Sequence, residues 1–292
     1  MISILIPVYN TTVVELVGSL QRQCLDLQHP FEIICLDDCS EPAFRDQNRS
    51  LSTLEGVTYR ELEENIGRSR IRNQLISLAV QPYLLFMDGD SKIVRSDYLR
   101  TYIQVLEPSK VIYGGRCYQQ KTPSDPAHFL HWYYGKQREA LPAATRRLYP
   151  YRTFMTNNFL IPRTIALAVR FDETIRRYGY EDTLYAMELQ KKGQKIIHID
   201  NPLEHIGLEE RPVFLHKVED ALDNLKEILP RNPDIDTRLL RFIDQLRSRG
   251  LLLPVRLLGG LFRPVLRAGI LAFSRPPLWM LDLYKLAYFL NK

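Results

Sequence analysis

Two carboxylates separated by one glycine, Asp88-Gly89-Asp90, close an uncharged run of strand length, Tyr83-Leu84-Leu85-Phe86-Met87. The apolar run predicts a buried strand. Open α/β sheets collect their ligands at the carboxyl ends of such strands. A glycine between the acids removes a Cβ from the turn, so both carboxylates can face one point. Converging carboxylates repel. A hard divalent cation relieves that repulsion and keeps positions open for phosphate oxygens. The plain alternative is a solvated turn, since Asp and Gly are common turn formers.

Other stretches offer chemistry of their own. Asp37-Asp38 ends a second apolar run and could accept hydrogens from a ribose hydroxyl or a base imide, or simply cap a turn. Tyr9 follows the first apolar run and could stack on a base or merely pack. Asn65-Ile66-Gly67-Arg68-Ser69-Arg70 brings amides and arginines to a helix start, which suits a diphosphate as well as an ordinary cap. Glu181-Asp182 opens a helix after Gly179-Tyr180. Acids there complement the helix dipole, and one could act as general base toward a hydroxyl. His205, with His198 and His216 as competitors, is either a metal ligand or structural.

The elements that must position these groups alternate. Ile2 to Val8, Phe31 to Leu36, Val57 to Arg60 and Tyr83 to Met87 read as strands. Helices are predicted from a cap at Thr11 or Thr12 through about Leu25, over 42–54, and from Arg68 to Ala79. That alternation predicts right-handed crossovers and a parallel sheet, with the candidate residues on one edge. Further strands are expected at Lys110–Gly115, Phe154–Ile161 and Lys195–Ile199, and helices at 181–192, 212–229 and 235–249, while 116–150 shows little periodicity.

The four cysteines, Cys24, Cys35, Cys39 and Cys117, have no paired spacing, which argues against a zinc or redox motif and for reduced thiols in a cytoplasmic setting. Met1 to Pro7 reads as a first strand rather than a signal peptide. The net charge of +5 is uneven: from residue 241 onward nine basic residues face only Asp244 and Asp282.

Taken in order, Ile6-Pro7-Val8-Tyr9-Asn10, Leu36-Asp37-Asp38-Cys39-Ser40, Asn65-Ile66-Gly67 with Arg72-Asn73, Met87-Asp88-Gly89-Asp90, Asn157-Asn158-Phe159-Leu160 and Gly179-Tyr180-Glu181-Asp182 resemble the family 2 glycosyltransferases, inverting enzymes of the GT-A fold. The resemblance covers residues 1–210. It implies an α/β fold built on a single Rossmann-like nucleotide-binding sheet flanked by helices. It also implies a nucleotide-sugar site in which Pro7, Tyr9, Asp37 and Asp38 meet base and ribose. Asn65, Gly67, Arg72, Asp88 and Gly89 complete that site. Asp88 and Asp90 resemble the family's DXD motif for Mn²⁺ or Mg²⁺. His205 matches a metal-binding histidine found in part of the family. Asp182 resembles the catalytic base, Glu181 would orient the acceptor, and Asn157 and Asn158 sit where acceptor contacts are expected. Cys39 stands where glycine is commoner. The implied partners are a nucleotide-sugar donor, UDP by family habit, and a glycan or lipid-linked glycan acceptor in cell-surface polysaccharide biosynthesis.

Beyond this domain the expectation is a helical extension over 211–249 and an amphipathic tail over 250–292. Arg249, Arg256, Arg263 and Arg267 would line one helix face among leucines, suited to an anionic membrane on the cytoplasmic face or to packing on protein. Pro254, Gly259-Gly260 and Pro264 predict a broken helix there. A sugar nucleotidyltransferase would carry a glycine-rich basic loop after strand one, and Pro7-Val8-Tyr9-Asn10-Thr11-Thr12 has no glycine. A silent scaffold would not need Asp88, Asp90 and Asp182. Nucleic-acid binding has little support, because the basic residues cluster with leucines.

Overall fold

Both faces of the innermost strands are apolar, so the sheet they form must be covered on both sides. The computed structural model describes residues 1–175 and 177–292. Its strands are β1 (Ile2–Val8), β2 (Phe31–Asp37), β3 (Val57–Glu61), β4 (Tyr83–Met87), β5 (Ser91–Ile93), β6 (Lys110–Tyr113), β7 (Arg116–Cys117), β8 (Asn158–Pro162), β9 (Lys195–His198) and β10 (Leu203–His205). Seven of them form one sheet in the order β3-β2-β1-β4-β8-β6-β9, and β5-β10-β7 form a small second sheet.

The helices are α1 (Val14–Leu27), α2 (Pro42–Asn48), α3 (Arg68–Leu78), α4 (Tyr98–Gln104), α5 (Phe129–Arg138), α6 (Ala143–Arg146), α7 (Arg163–Ala168), α8 (Glu181–Lys191), α9 (Arg211–Ile228), α10 (Arg238–Ser248), α11 (Leu252–Ala272) and α12 (Leu278–Asn291). On one face of the large sheet, Ile4, Ile6 and Val8 of β1 and Leu85 of β4 pack with Leu16, Val17 and Leu20 of α1 and Tyr98 and Tyr102 of α4. On the other face, Leu5, Leu84 and Phe86 meet Ile71 and Leu75 of α3 and Tyr185 and Leu189 of α8.

Three expectations change. The sheet is mixed, because β8 runs antiparallel to both β4 and β6. The chain leaves β6 and re-enters at β8 on the same edge, so no crossover returns it to the other end. Strand β8 also starts four residues later than the sequence predicts, at Asn158 paired with Met87. No threonine caps α1. Asn48, fully buried, accepts from the Val13 N–H (2.9 Å) and donates to the Thr11 carbonyl (2.9 Å).

The chain divides into two compact units. Residues 1–119, 139–176 and 181–207 form the first, and 120–138, 177–180 and 208–292 the second. The second is helical, with Leu130, Phe214, Leu215, Leu222, Ile270, Leu281 and Tyr284 in its core. Here α11 is one continuous helix despite Pro264, against the predicted break. Its glycines serve close packing: a Cβ at Gly259 would come within 3.3 Å of Ala287 on α12. Tertiary contact thus outweighs local propensity. No described helix is long and apolar enough to cross a membrane.

One buried cation ties the β6 edge together. Arg146, 2 % exposed, donates to the carbonyls of Leu141 (2.8 Å), Ile199 (2.8 Å), Gly114 (3.2 Å) and Tyr113 (3.3 Å). His198 lies against it and contacts the Pro150 carbonyl at 2.9 Å. Burial lowers the His198 pKa to about 4. Arg146→Met should leave several carbonyls unpaired and lower stability by about 3 kcal/mol. Urea unfolding measures this, and an unchanged midpoint would contradict the assignment.

Candidate active site

Asp37 and Asp38 end β2 side by side but do different work. Asp37 is fully buried; its carboxylate accepts from Ser40 N (2.7 Å) and the Tyr59 hydroxyl (3.0 Å), which closes the turn. Asp38, also buried, accepts from the amides of Ile66 (2.7 Å) and Gly67 (3.0 Å). Asn65 donates to the Asp38 carbonyl at 3.1 Å. Burial raises the Asp38 pKa, and those two amides oppose the rise. Gly67 has φ +84°, which an L side chain rarely adopts, and it precedes the first residue of α3. The 65–67 turn is therefore fixed to the end of β2. Asn10 (φ 48°) joins the same edge, its N–H donating to Ser40 Oγ at 2.8 Å. Tyr9 beside it is 56 % exposed.

At the end of β4 the Asp88 carboxylate is held from two sides. Arg72 Nη2 of α3 donates to Oδ1 at 2.9 Å, and Arg116 Nη2 of β7 donates to Oδ2 at 3.3 Å. Arg116 is itself oriented by Glu139 (3.2 Å), which also accepts from the Tyr118 hydroxyl (2.5 Å). Gly89 permits close packing: a Cβ there would meet Thr11 and Val13 at 3.1 Å and the Pro7 carbonyl at 3.3 Å. That constraint, not a left-handed turn, accounts for the glycine.

Asp90 faces a different partner. The small sheet pairs His205 of β10 with Ser91 of β5, and this register sets His205 Nδ1 3.3 Å from Asp90 Oδ1. Burial alone would raise the Asp90 pKa. The His205 imidazole, with Arg116 and Arg68, instead holds it well below the usual carboxylate range. Among the described residues no group of three or more His, Cys, Asp or Glu is arranged to hold a metal. The donor set at Asp90 and His205 nevertheless fits a divalent cation: a carboxylate and an imidazole in contact, few enough to leave ligand positions for phosphate oxygens. Asp88 fits that task less well, since guanidinium groups take both of its oxygens. His198 is committed to the Arg146 cluster, and His216 lies in the second unit beside Glu219 and Asp220.

The first turn of α8 brings two more acids to this edge. Asp182 Oδ1 accepts from the Thr156 hydroxyl at 2.5 Å. Burial and the neighbouring Glu181 push its pKa up to about 6, against the pull of Arg72 and Thr156. Glu181 is 8 % exposed and pairs through Oε1 with Arg68 Nη1 at 3.3 Å; its Oε2 is buried without a hydrogen-bond partner.

Asn157 and Asn158 arrive because β8 is antiparallel. The Asn157 carbonyl accepts from Asp88 N (3.2 Å), and its side chain lies 3.4 Å from the Tyr113 hydroxyl. Asn158 is fully buried and fully engaged. It accepts from Tyr98 (2.6 Å) and Tyr102 (2.7 Å) and donates to the Gly115 (2.8 Å) and Asn201 (2.9 Å) carbonyls. Its side chain clamps the scaffold behind the site. Sequence reasoning missed Arg116, Tyr118, Glu139 and Thr156. None belongs to a spaced motif, and only the second sheet and the antiparallel strand deliver them.

Comparisons with known proteins bear on the family and the fold. The chain shares 30% identity over 139 residues with a protein named for teichuronic acid biosynthesis, the glycosyltransferase TuaG of Bacillus subtilis (strain 168), covering 45% of this chain and 52% of that one. It shares 37% over 105 residues with the poly(ribitol-phosphate) beta-glucosyltransferase of Bacillus spizizenii, covering 35% of this chain and 16% of that one. The chain thus spans about half the length of the first relative and far less of the second. In fold it resembles S. aureus TarS 1-349 in complex with UDP-GlcNAc, with TM-score 0.52 and 17% identity over 97% of this chain and 89% of that one. It also resembles the mannosyltransferase PcManGT of Pyrobaculum calidifontis in complex with GDP-Man and Mn2+, with TM-score 0.52 and 13% identity over 78% of this chain and 64% of that one. The model of the family described as Glycosyl transferase family 2 matches residues 3–178, from β1 almost to the acids that open α8. The chain therefore belongs to glycosyl transferase family 2 and has the GT-A fold.

Proposed function

We propose that the chain moves a sugar from a nucleotide-sugar, a UDP-sugar foremost, to a hydroxyl of a glycan or lipid-linked glycan, with inversion at the anomeric carbon. The observation that carries this reading is Asp182: a carboxylate with its pKa pushed up to about 6, positioned by Thr156 at the sheet edge that also holds Asp88 and Asp90. A base poised near neutrality both accepts a hydroxyl proton and is ionised under working conditions.

In this reading Tyr9 stacks on the base, and the Asp38-held turn at Asn65–Gly67 presents its backbone to the nucleotide. Asp88, fixed by Arg72 and Arg116, orients the donor sugar or ribose. Asp90 and His205 would hold a divalent cation, Mn²⁺ or Mg²⁺, which would supply Lewis-acid stabilisation of the diphosphate leaving group. The acceptor oxygen attacks the anomeric carbon as the carbon–oxygen bond to the diphosphate breaks. Asp182 takes the acceptor proton on Oδ2 while Thr156 fixes Oδ1. Glu181 Oε2 accepts from a neighbouring acceptor hydroxyl, and Asn157 lines the same side. A single displacement inverts the configuration and needs no second nucleophile. The names of the two Bacillus relatives support an acceptor in cell-surface polysaccharide biosynthesis.

Asp182→Asn should lower transfer by about a thousandfold or more, in line with loss of a general base. Its thermal unfolding should be unchanged or improved. The raised pKa means the folded chain holds that proton more tightly than the unfolded one, so the ionised form at pH 7 weighs against folding. Product release from a nucleotide-sugar panel, read beside a melting curve, checks both. Retention of near-wild-type transfer would remove Asp182 from the role.

The pH profile gives an independent test. Since the base must be ionised, kcat/KM should fall as pH drops through about 6. Thr156→Val removes a donor that favours the ionised carboxylate, so its acid limb should move to higher pH. An acid limb that stays in place would assign the titration to another group.

A further inference from the structure

Nothing in the transfer reaction uses the outer face of α11. Leu253, Leu257, Leu261 and Val265 follow one another at four-residue steps along this helix, and each is 65–69 % exposed. Leu258 and Phe262 flank them, also exposed. The opposite face is already occupied: Ile270 is buried with Met280 and Tyr284, and Gly259 faces Ala287 of α12. The helix thus packs one side against α12 and leaves a long apolar stripe exposed among its arginines. A stripe of this kind on a folded protein marks an interaction surface.

The charge around the stripe narrows the partner. Residues 245–281 contain six arginines (Arg247, Arg249, Arg256, Arg263, Arg267 and Arg275) and neither Asp nor Glu. Arg249 and Arg256 are exposed, and Arg263 lies over the Tyr288 ring. A second copy of the chain, docked stripe to stripe about a two-fold axis, would bring two such arginine sets together without compensating acid from this segment. A spanning arrangement is also disfavoured, because no described helix is long and apolar enough. An interface of apolar depth and negative surface satisfies both features, and arginine stems can extend along it toward headgroups.

We infer that the exposed face of α11 lies in the surface of an anionic lipid bilayer, with its leucines at the acyl boundary and Arg249 and Arg256 at the headgroups. The inference rests on the second unit alone, so it stands or falls separately from the catalytic reading.

The test is flotation of the full chain with vesicles of phosphatidylcholine, alone or mixed with phosphatidylglycerol. Binding should be at least about tenfold stronger to the anionic vesicles. Leu257→Glu with Leu261→Glu, both at exposed positions, should weaken binding by about tenfold or more and leave the melting curve unchanged. Arg249→Gln with Arg256→Gln should erase the preference for anionic lipid, and this second pair guards against misfolding of the first. Four results would overturn the inference. One is wild-type chain that stays unbound in low salt. Another is a leucine pair that floats like wild type. The third is a dimer in solution that the leucine pair dissolves while neither form floats, which would assign the stripe to a second copy. Equal competition by soluble polyphosphate against both variants and wild type would likewise overturn it, reducing the surface to unspecific charge.

Discussion

Acids crowded on one sheet edge coexist only when cations or protons are shared among them. Four carboxylates meet that condition here in four ways. Asp88 takes two guanidiniums, from Arg72 and Arg116. Asp90 takes an imidazole, and Glu181 takes Arg68. Among the described residues Asp182 has Thr156 as its hydrogen-bonding partner, and its pKa is pushed up to about 6. The proposed division of labour rests on these environments: the well-compensated acids are assigned to binding, and the under-compensated one to proton exchange.

Two features of topology create the crowding. The antiparallel strand β8 enters at the edge where β4 ends, which sets Asn157 and Thr156 next to Asp88 and Asp182. The β5-β10-β7 sheet then draws in two residues distant in sequence, His205 and Arg116. Behind the edge, Asn158 and Arg146 satisfy backbone carbonyls that would otherwise end in buried, unpaired groups. These are scaffold residues: their polar atoms are spent on the chain itself.

Much of this was legible in the sequence, for identifiable reasons. Strands β1, β2, β3 and β4 are short apolar runs, and each candidate acid sits directly after one or opens a helix. Local pattern was therefore enough to place Asp37, Asp38, Asp88, Asp90 and Asp182 at the ends of their elements. What local pattern could not show was pairing. The direction of β8 depends on where the chain re-enters, and the commitment of Asn158 depends on two tyrosines about sixty residues away. Arg116, Glu139 and Thr156 carry no spacing signal at all. The helix α11 misled in the other direction: its prolines and glycines predict breaks, yet contact with α12 keeps it continuous.

In the proposed reaction, donor binding and proton abstraction belong to separate acids of this edge. Calorimetric titration of UDP, with and without Mn²⁺, into wild type, Asp90→Ala and Asp182→Asn tests it most directly. Wild type and Asp182→Asn should show metal-dependent binding with similar affinity, and Asp90→Ala should lose it. Equal binding by Asp90→Ala, or lost binding in Asp182→Asn, would contradict this separation.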